Sequence, residues 1–215
     1  MSARANILAR IRTRQGKAVS PRNAERELVA QFIAEHPQSP RPFVDADLVA
    51  RFRDRALHLT TSVEDLDSLQ QLPAAIAHYL TEKQLSKSAV CWPAFSTLDW
   101  AGQGLQVEAR PARDTDLVGI TGAFCAIAET GTLMMCSGQD TPATTSLLPE
   151  THIAVVSRSR IVTGMEDGWD LLRRDIGDMP RAVNFVSGPS RTADIEQTVT
   201  LGAHGPYRVH VLLIP

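Results

Sequence analysis

The sequence predicts an α/β domain, a mostly parallel sheet with flanking helices, preceded by a helical N-terminal segment. Three observations carry this expectation. Residues 1–55 place apolar side chains at helical spacing. From residue 56 onward, short β-like apolar runs alternate with helical stretches. Two polar, glycine-rich segments, Ala128–Thr132 and Ser187–Glu196, interrupt those runs, and an open sheet delivers ligand-binding loops at its strand ends.

The elements follow in order. Ile7, Leu8 and Ile11 share a helical stripe behind Ser2 as N-cap, and Gly16 ends that helix. Pro21 with Glu25 and Glu27 starts a second helix, which carries Leu28, Phe32 and Ile33 on one face. Three prolines between Pro37 and Pro42 break the chain. A third helix is expected from Asp45 to Arg55, with Leu48, Val49 and Phe52 inward. Ala56–Val63 reads as a strand, and Ser62-Val63-Glu64-Asp65 as the cap of the next helix. Leu72–Leu85 is helical, with Ile76, Tyr79 and Leu80 on one face. Ser88–Trp92, Leu105–Ala109 and Leu117–Thr121 read as strands. Phe124–Ala128 and Thr132–Cys136 form a hairpin in which Gly131 supplies an unusual backbone angle. Ile153–Ser157, Ile161–Val162, Ala182–Val186 and Val209–Ile214 are further strands, and Trp169–Ile176 is a short helix. The domain boundaries expected are 1–55 and 56–215.

Charge and cysteine content narrow the function classes. The net charge of −2 argues against a nucleic-acid binder. Residues 1–55 hold 11 basic and 6 acidic side chains, a net of +5, while residues 56–215 hold 11 and 18, a net of −7. The arginine-rich segment is either a solvated helical surface or an arm that docks on another protein or on the second subunit of a homo-oligomer. Cys91, Cys125 and Cys136 are far apart, each in an apolar run, and lack zinc-ligand spacing, so no metal site is expected. No stretch is long and apolar enough for a membrane span, and no secretory leader is evident, so the expected location is cytoplasmic.

The candidate site residues fall in the two polar segments and a third. Glu129, at the end of a buried strand, suits acid/base or nucleophilic work; the alternative is that it satisfies backbone donors in a tight turn. Thr130, Gly131 and Thr132 offer hydroxyl and backbone N–H groups to an anion or carbonyl. Ser187, Gly188, Ser190, Arg191, Thr192 and Asp194 form the second set. Glycine and small hydroxyl residues let backbone approach a ligand, and Arg191 presents a planar fork to a carboxylate or phosphate. The alternative there is a helix N-terminus capped by Ser190 or Thr192. The spacing matches neither a Walker A loop nor a dinucleotide fingerprint. His204, between Gly202 and Gly205, is a candidate proton carrier. His152 is a weaker candidate, and His210 reads as structural.

At these residues the chain resembles the LUD-domain family, in its lactate-utilisation protein C branch. The carrying segments are Ala126–Leu133, Ser146–Pro149, His152–Val156, Ser187–Glu196 and Gly202–Pro206, in that order. The resemblance implies a fold like that of ribose-phosphate isomerases and CoA transferases. It also implies a part in oxidising L-lactate to pyruvate, with iron-sulfur clusters held by partner proteins and no cofactor bound by this chain. Two functions are therefore expected. One is a subunit of a lactate utilisation system holding a small acid. The other is an independent enzyme acting on a small acyl or phosphorylated metabolite through Glu129, Arg191 and His204.

Overall fold

The computed structural model describes residues 2–17, 22–42, 46–193 and 200–215. The chain forms two compact units, Met1–Arg41 and Pro42–Pro215.

In the first unit, α1 (Ala3–Arg14) starts at Ser2, whose hydroxyl accepts from the Ala5 amide, as expected of a serine N-cap. α2 (Asn23–Glu35) follows, and Arg12 pairs with Glu25 at 2.9 Å. Pro21 lies outside the described residues. Ile7, Leu8, Ile11, Leu28, Val29, Phe32 and Ile33 are all exposed.

The second unit opens with α3 (Leu48–His58), capped by the Asp47 carboxylate on the Ala50 amide. Asp45 lies outside the described residues. Phe52 and Ala56, one helical turn apart, are fully buried. The helical segment read over 1–55 is thus divided, with α3 packed in the core of the second unit. The strand expected at Ala56–Val63 is not present. Ala56 to His58 continue the helix, because their inward face is at helical spacing. The chain then turns through Thr60, at φ 63°. Nor does Ser62–Asp65 cap a helix: it is strand β1, paired with residues 210–213. No local signal specifies so distant a partner.

α4 (Leu72–Glu82) buries Leu72, Ile76, Tyr79 and Leu80. β2 (Ser88–Cys91), β3 (Gln106–Ala109) and β4 (Val118–Gly122) come next. β5 (Cys125–Ile127) and β6 (Thr132–Cys136) make the expected hairpin, with Gly131 at φ 69°. After α5 (Thr144–Leu147) come β7 (Thr151–Ser157), β8 (Ile161–Val162) and α6 (Met165–Asp175). β9 (Val183–Val186), β10 (Arg191–Thr192), β11 (Thr200–Leu201) and β12 (Arg208–Ile214) complete the elements.

Six strands form the main sheet in the order β1-β12-β7-β4-β2-β3, with every pairing parallel. The central strands β7 and β12 are almost continuously buried, as strands covered on both faces must be. The hairpin belongs to a second sheet, β8-β5-β6-β9. Alternation along β6 assigns its two faces. Leu133 and Met135 join the core of the main sheet. Met134 and Cys136 face the other way and pack with Leu171 and Leu172 of α6. The expected parallel sheet with flanking helices is present, and part of its cover is this second sheet. Among the described residues no helix is long and apolar enough to cross a membrane.

Two histidines sit inside the main sheet. His152 on β7 is fully buried and shares a 2.8 Å hydrogen bond with the Thr121 hydroxyl on β4. His210 on β12 stacks on Tyr79 with ring centroids 4.0 Å apart. Burial pushes both imidazoles down to about 4. The unfolded chain therefore binds more protons than the fold between about pH 6.5 and pH 4, and stability drops as pH falls through that window. His152→Gln, which removes one titration and keeps a hydrogen-bonding side chain, should flatten the slope. Urea unfolding midpoints measured from pH 7 to pH 4 check this, and an unchanged slope would count against the buried neutral state.

Candidate functional site

The C-terminal turn of α3 organises the candidate residues. The Thr61 amide bonds back to the Ala56 carbonyl at 3.0 Å and closes the helix, leaving Thr60 in the left-handed region, which non-glycine residues rarely adopt. Two glycines from distant segments press on this turn. A Cβ on Gly131 would stand 2.6 Å from the Ala56 nitrogen, and one on Gly188 would stand 2.4 Å from the Leu59 oxygen. Both also have positive φ. Glycine is required at each position by close packing as well as by backbone conformation.

This docking brings the two polar segments together. The Thr130 and Thr132 hydroxyls are 2.8 Å apart, and that of Thr132 lies 2.7 Å from the Ser187 hydroxyl. Thr132 is buried, while Thr130 and Ser187 are exposed at the ends of this hydroxyl chain. Arg55 Nε donates to the Glu129 carbonyl at 3.3 Å. The Glu129 amide donates to the Thr163 carbonyl, and its side chain is half-buried. Arg191 donates to the Thr60 hydroxyl at 2.8 Å and reaches the Leu59 carbonyl.

The third segment is paired to the second. β10 and β11 match Arg191 with Leu201 and Thr192 with Thr200. The Ser190 amide donates to the Pro206 carbonyl, and the Gly202 amide to that of Ser190. Arg191 and Thr192 lie on a strand, so Ser190 does not start a helix there. Thr192 is buried, and His204 is exposed on the neighbouring loop. Asp194 and Glu196 lie outside the described residues.

Beside Arg191 is a cavity of about 560 Å³, lined in part by Thr60, Ser62, Tyr79, Lys83, Tyr207 and Arg208. Among the described residues, three cationic side chains and no carboxylate face it. Lys83 also pairs with Glu82 at 2.8 Å, which takes up part of its charge, and Arg208 stacks on Tyr207. Behind the wall, the Ser62 hydroxyl is 2.8 Å from His210 Nδ1. The cavity thus suits a small anion with hydroxyl or carbonyl groups. Arginine supplies a fork, and the hydroxyls complete the hydrogen bonding. Neither Glu129 nor His204 lines it.

The cavity opens at the amino ends of β1 and β12, beside Ser62 and Arg208. The sequence places the candidate loops at strand ends, the usual ligand-binding position of an open sheet. Both polar segments do follow the carboxyl ends of strands, β5 and β9, but those strands belong to the second sheet. Thr60, Ser62, Tyr79, Lys83 and Arg208 escaped the sequence reading because only the pairing of β1 with β12 and the packing of α4 bring them together. Arg208, a lone charge heading an apolar run, was the one local signal.

A family model for the LUD domain matches residues 61–214. The chain belongs to the LUD domain family. It is 34% identical to "Lactate utilization protein C" of Bacillus subtilis strain 168, over 57% of this chain and 53% of that protein. This match spans only about half of the relative's length. A protein of the same name from Exiguobacterium sp. is 30% identical over 98% of this chain and 95% of its own. Among solved structures, a DUF162 family protein from Deinococcus radiodurans superposes with a TM-score of 0.60 at 27% identity, covering 81% of this chain and all of that one.

The glycine seats give a direct test in this LUD-domain chain. Gly131→Ala adds a left-handed alanine and a clash with α3 backbone, and should lower stability by roughly 2–4 kcal/mol. Equilibrium urea unfolding measures this, and a loss under about 0.5 kcal/mol would show that the turn and helix separate easily.

Proposed function

We propose that this chain is a non-redox subunit of an L-lactate utilisation system, in which L-lactate is oxidised to pyruvate together with iron-sulfur partner proteins. The observation that carries this reading is the match to "Lactate utilization protein C" across nearly the whole length of both chains. The cavity beside Arg191 would hold the small acid. In this reading Arg191 takes the carboxylate, Lys83 and Arg208 add positive potential, and the Tyr79 hydroxyl donates to a remaining oxygen; the Thr60 hydroxyl, whose proton goes to the Leu59 carbonyl, orients Arg191.

The cysteines support placing the redox centres in the partners. Cluster ligation needs thiolates. Cys91, Cys125 and Cys136 are buried on β2, β5 and β6, and burial pushes their thiols up to about 11, 12 and 11. Such groups suit packing better than iron ligation. The α1–α2 unit supports docking. Among its described residues it carries seven large apolar side chains left exposed, among arginines such as Arg4, Arg10 and Arg14.

Tagged protein purified anaerobically from lactate-grown cells of its own source should bring down iron-sulfur proteins. The eluate should reduce an artificial dye in a lactate-dependent manner, and that activity should fall when this chain is stripped away. Recovery of the chain alone, without lactate-dependent reduction, would sink the proposal. Deleting residues 1–41 should weaken retention of the partners with the α/β unit still folded by circular dichroism, and undiminished retention would remove the docking role.

Arg191→Ala should cut the affinity for pyruvate or lactate at least about tenfold, the scale of one lost charge-assisted contact. Calorimetric titration of the purified chain measures it. Equal affinity in both proteins would place the acid elsewhere.

A further inference from the structure

The opposite edge of the main sheet holds a second cavity that the proposed function leaves unused. From β2 the chain steps outward to β3, whereas from β4 it steps the other way, through β7 to β12. The strand order therefore reverses between β2 and β4. In an open parallel sheet, a crevice forms at the carboxyl ends of the two strands that flank such a reversal, and ligands bind there. Those strands end at Cys91 and Gly122. The residues that follow them, Trp92 and Ala123, line a cavity of about 550 Å³.

The cavity's chemistry is unlike that beside Arg191. Trp92 and Phe124 contribute aromatic surface, with Met179 as a further apolar wall. Among the described residues no lysine or arginine lines it, and the one carboxylate is that of Asp178. Arg160 stacks on Phe124 at 4.7 Å, but its guanidinium is committed to Asp175 at 2.6 Å and to the Phe124 carbonyl at 3.0 Å. An anion gains nothing here.

The polar groups of the wall offer several acceptors and one hydroxyl donor, Ser137, which itself accepts from the Ala182 amide. The Trp92 indole N–H is spent on the Pro142 carbonyl at 3.3 Å. The Thr141 hydroxyl donates its proton to the Cys136 carbonyl at 2.8 Å, which leaves its lone pairs for a ligand. Asp178 adds carboxylate oxygens. Cys136 is a buried neutral thiol. A matching ligand is flat, uncharged and rich in N–H donors.

We propose that this cavity at the carboxyl ends of β2 and β4 is a binding site for an uncharged planar nitrogen heterocycle bearing amino or amide N–H groups. The ring lies against Trp92 and Phe124, and its N–H groups donate to Thr141 and Asp178. The site is independent of the acid cavity, because the two share no lining residue.

The test titrates the full chain calorimetrically with adenine, nicotinamide and riboflavin, and with benzoate as a planar anion. At least one heterocycle should bind saturably with one site per chain, and benzoate should not. Ala123→Phe, which fills the cavity, should weaken that binding at least about tenfold, and Thr141→Val about threefold, while Arg191→Ala leaves it unchanged. Failure of all three heterocycles to saturate at millimolar concentration would overturn the proposal. So would binding that survives both cavity substitutions, or benzoate binding of equal strength. If Ala123→Phe proves unfolded by circular dichroism, Thr141→Val alone decides.

Discussion

The close approach of two glycines to the C-terminal turn of α3 is the contact on which the candidate site depends. Phe52 and Ala56 anchor the helix in the core, so the turn after them has a fixed position. Gly131 seats the β5–β6 turn on it, and Gly188 seats the loop after β9. Any side chain at either position would separate segments that are 57 residues apart in sequence. With both seated, the hydroxyls of Thr130, Thr132 and Ser187 fall into one chain, and Arg191 reaches Thr60. Conformational freedom lost by three loops is thereby shared among a few short contacts.

The two edges of the main sheet carry opposite chemistry. The amino edge near β1 and β12 gathers cations and hydroxyls around a cavity of about 560 Å³. The carboxyl edge near β2 and β4 is walled by aromatic and apolar side chains with acceptors among them. Buried strands separate the two, so neither cavity screens or crowds the other. A charged acid and a neutral ring could occupy one α/β unit together, each excluded from the other's place by desolvation cost.

Much of the fold was legible because its signals are local. The β5–β6 hairpin, its left-handed Gly131 and the apolar runs of β7 and β12 follow from spacing and turn chemistry. Local reasoning failed between Ala56 and Asp65. The threonines there look β-like, yet Ala56 completes a helical face, and Ser62–Asp65 takes its strand identity from a partner far along the chain. The site was legible in part for the same reason. Arg191, Thr132 and Ser187 announced themselves by type and by neighbouring glycines; Thr132 and Ser187 do meet, whereas Arg191 reaches Thr60 and Leu59 instead. Lys83, Arg208 and Tyr79 carry no local mark, since only tertiary packing aims them at one cavity. Trp92 reads from sequence as the end of a strand, and only the strand order shows that it stands at a reversal.

The placement of β12 between β1 and β7 bears on how the molecule is made. Ser62 pairs with His210, 148 residues further on. While the protein is being synthesised, β1 has no strand to pair with, and β7 presents an open apolar edge, until residues 208–214 have left the ribosome. The core therefore closes late, after an interval in which unpaired strands invite association between nascent chains. Loss of even that short segment would leave two separated sheet edges rather than a smaller domain, which makes premature termination or proteolytic trimming near residue 208 an all-or-none event for the fold.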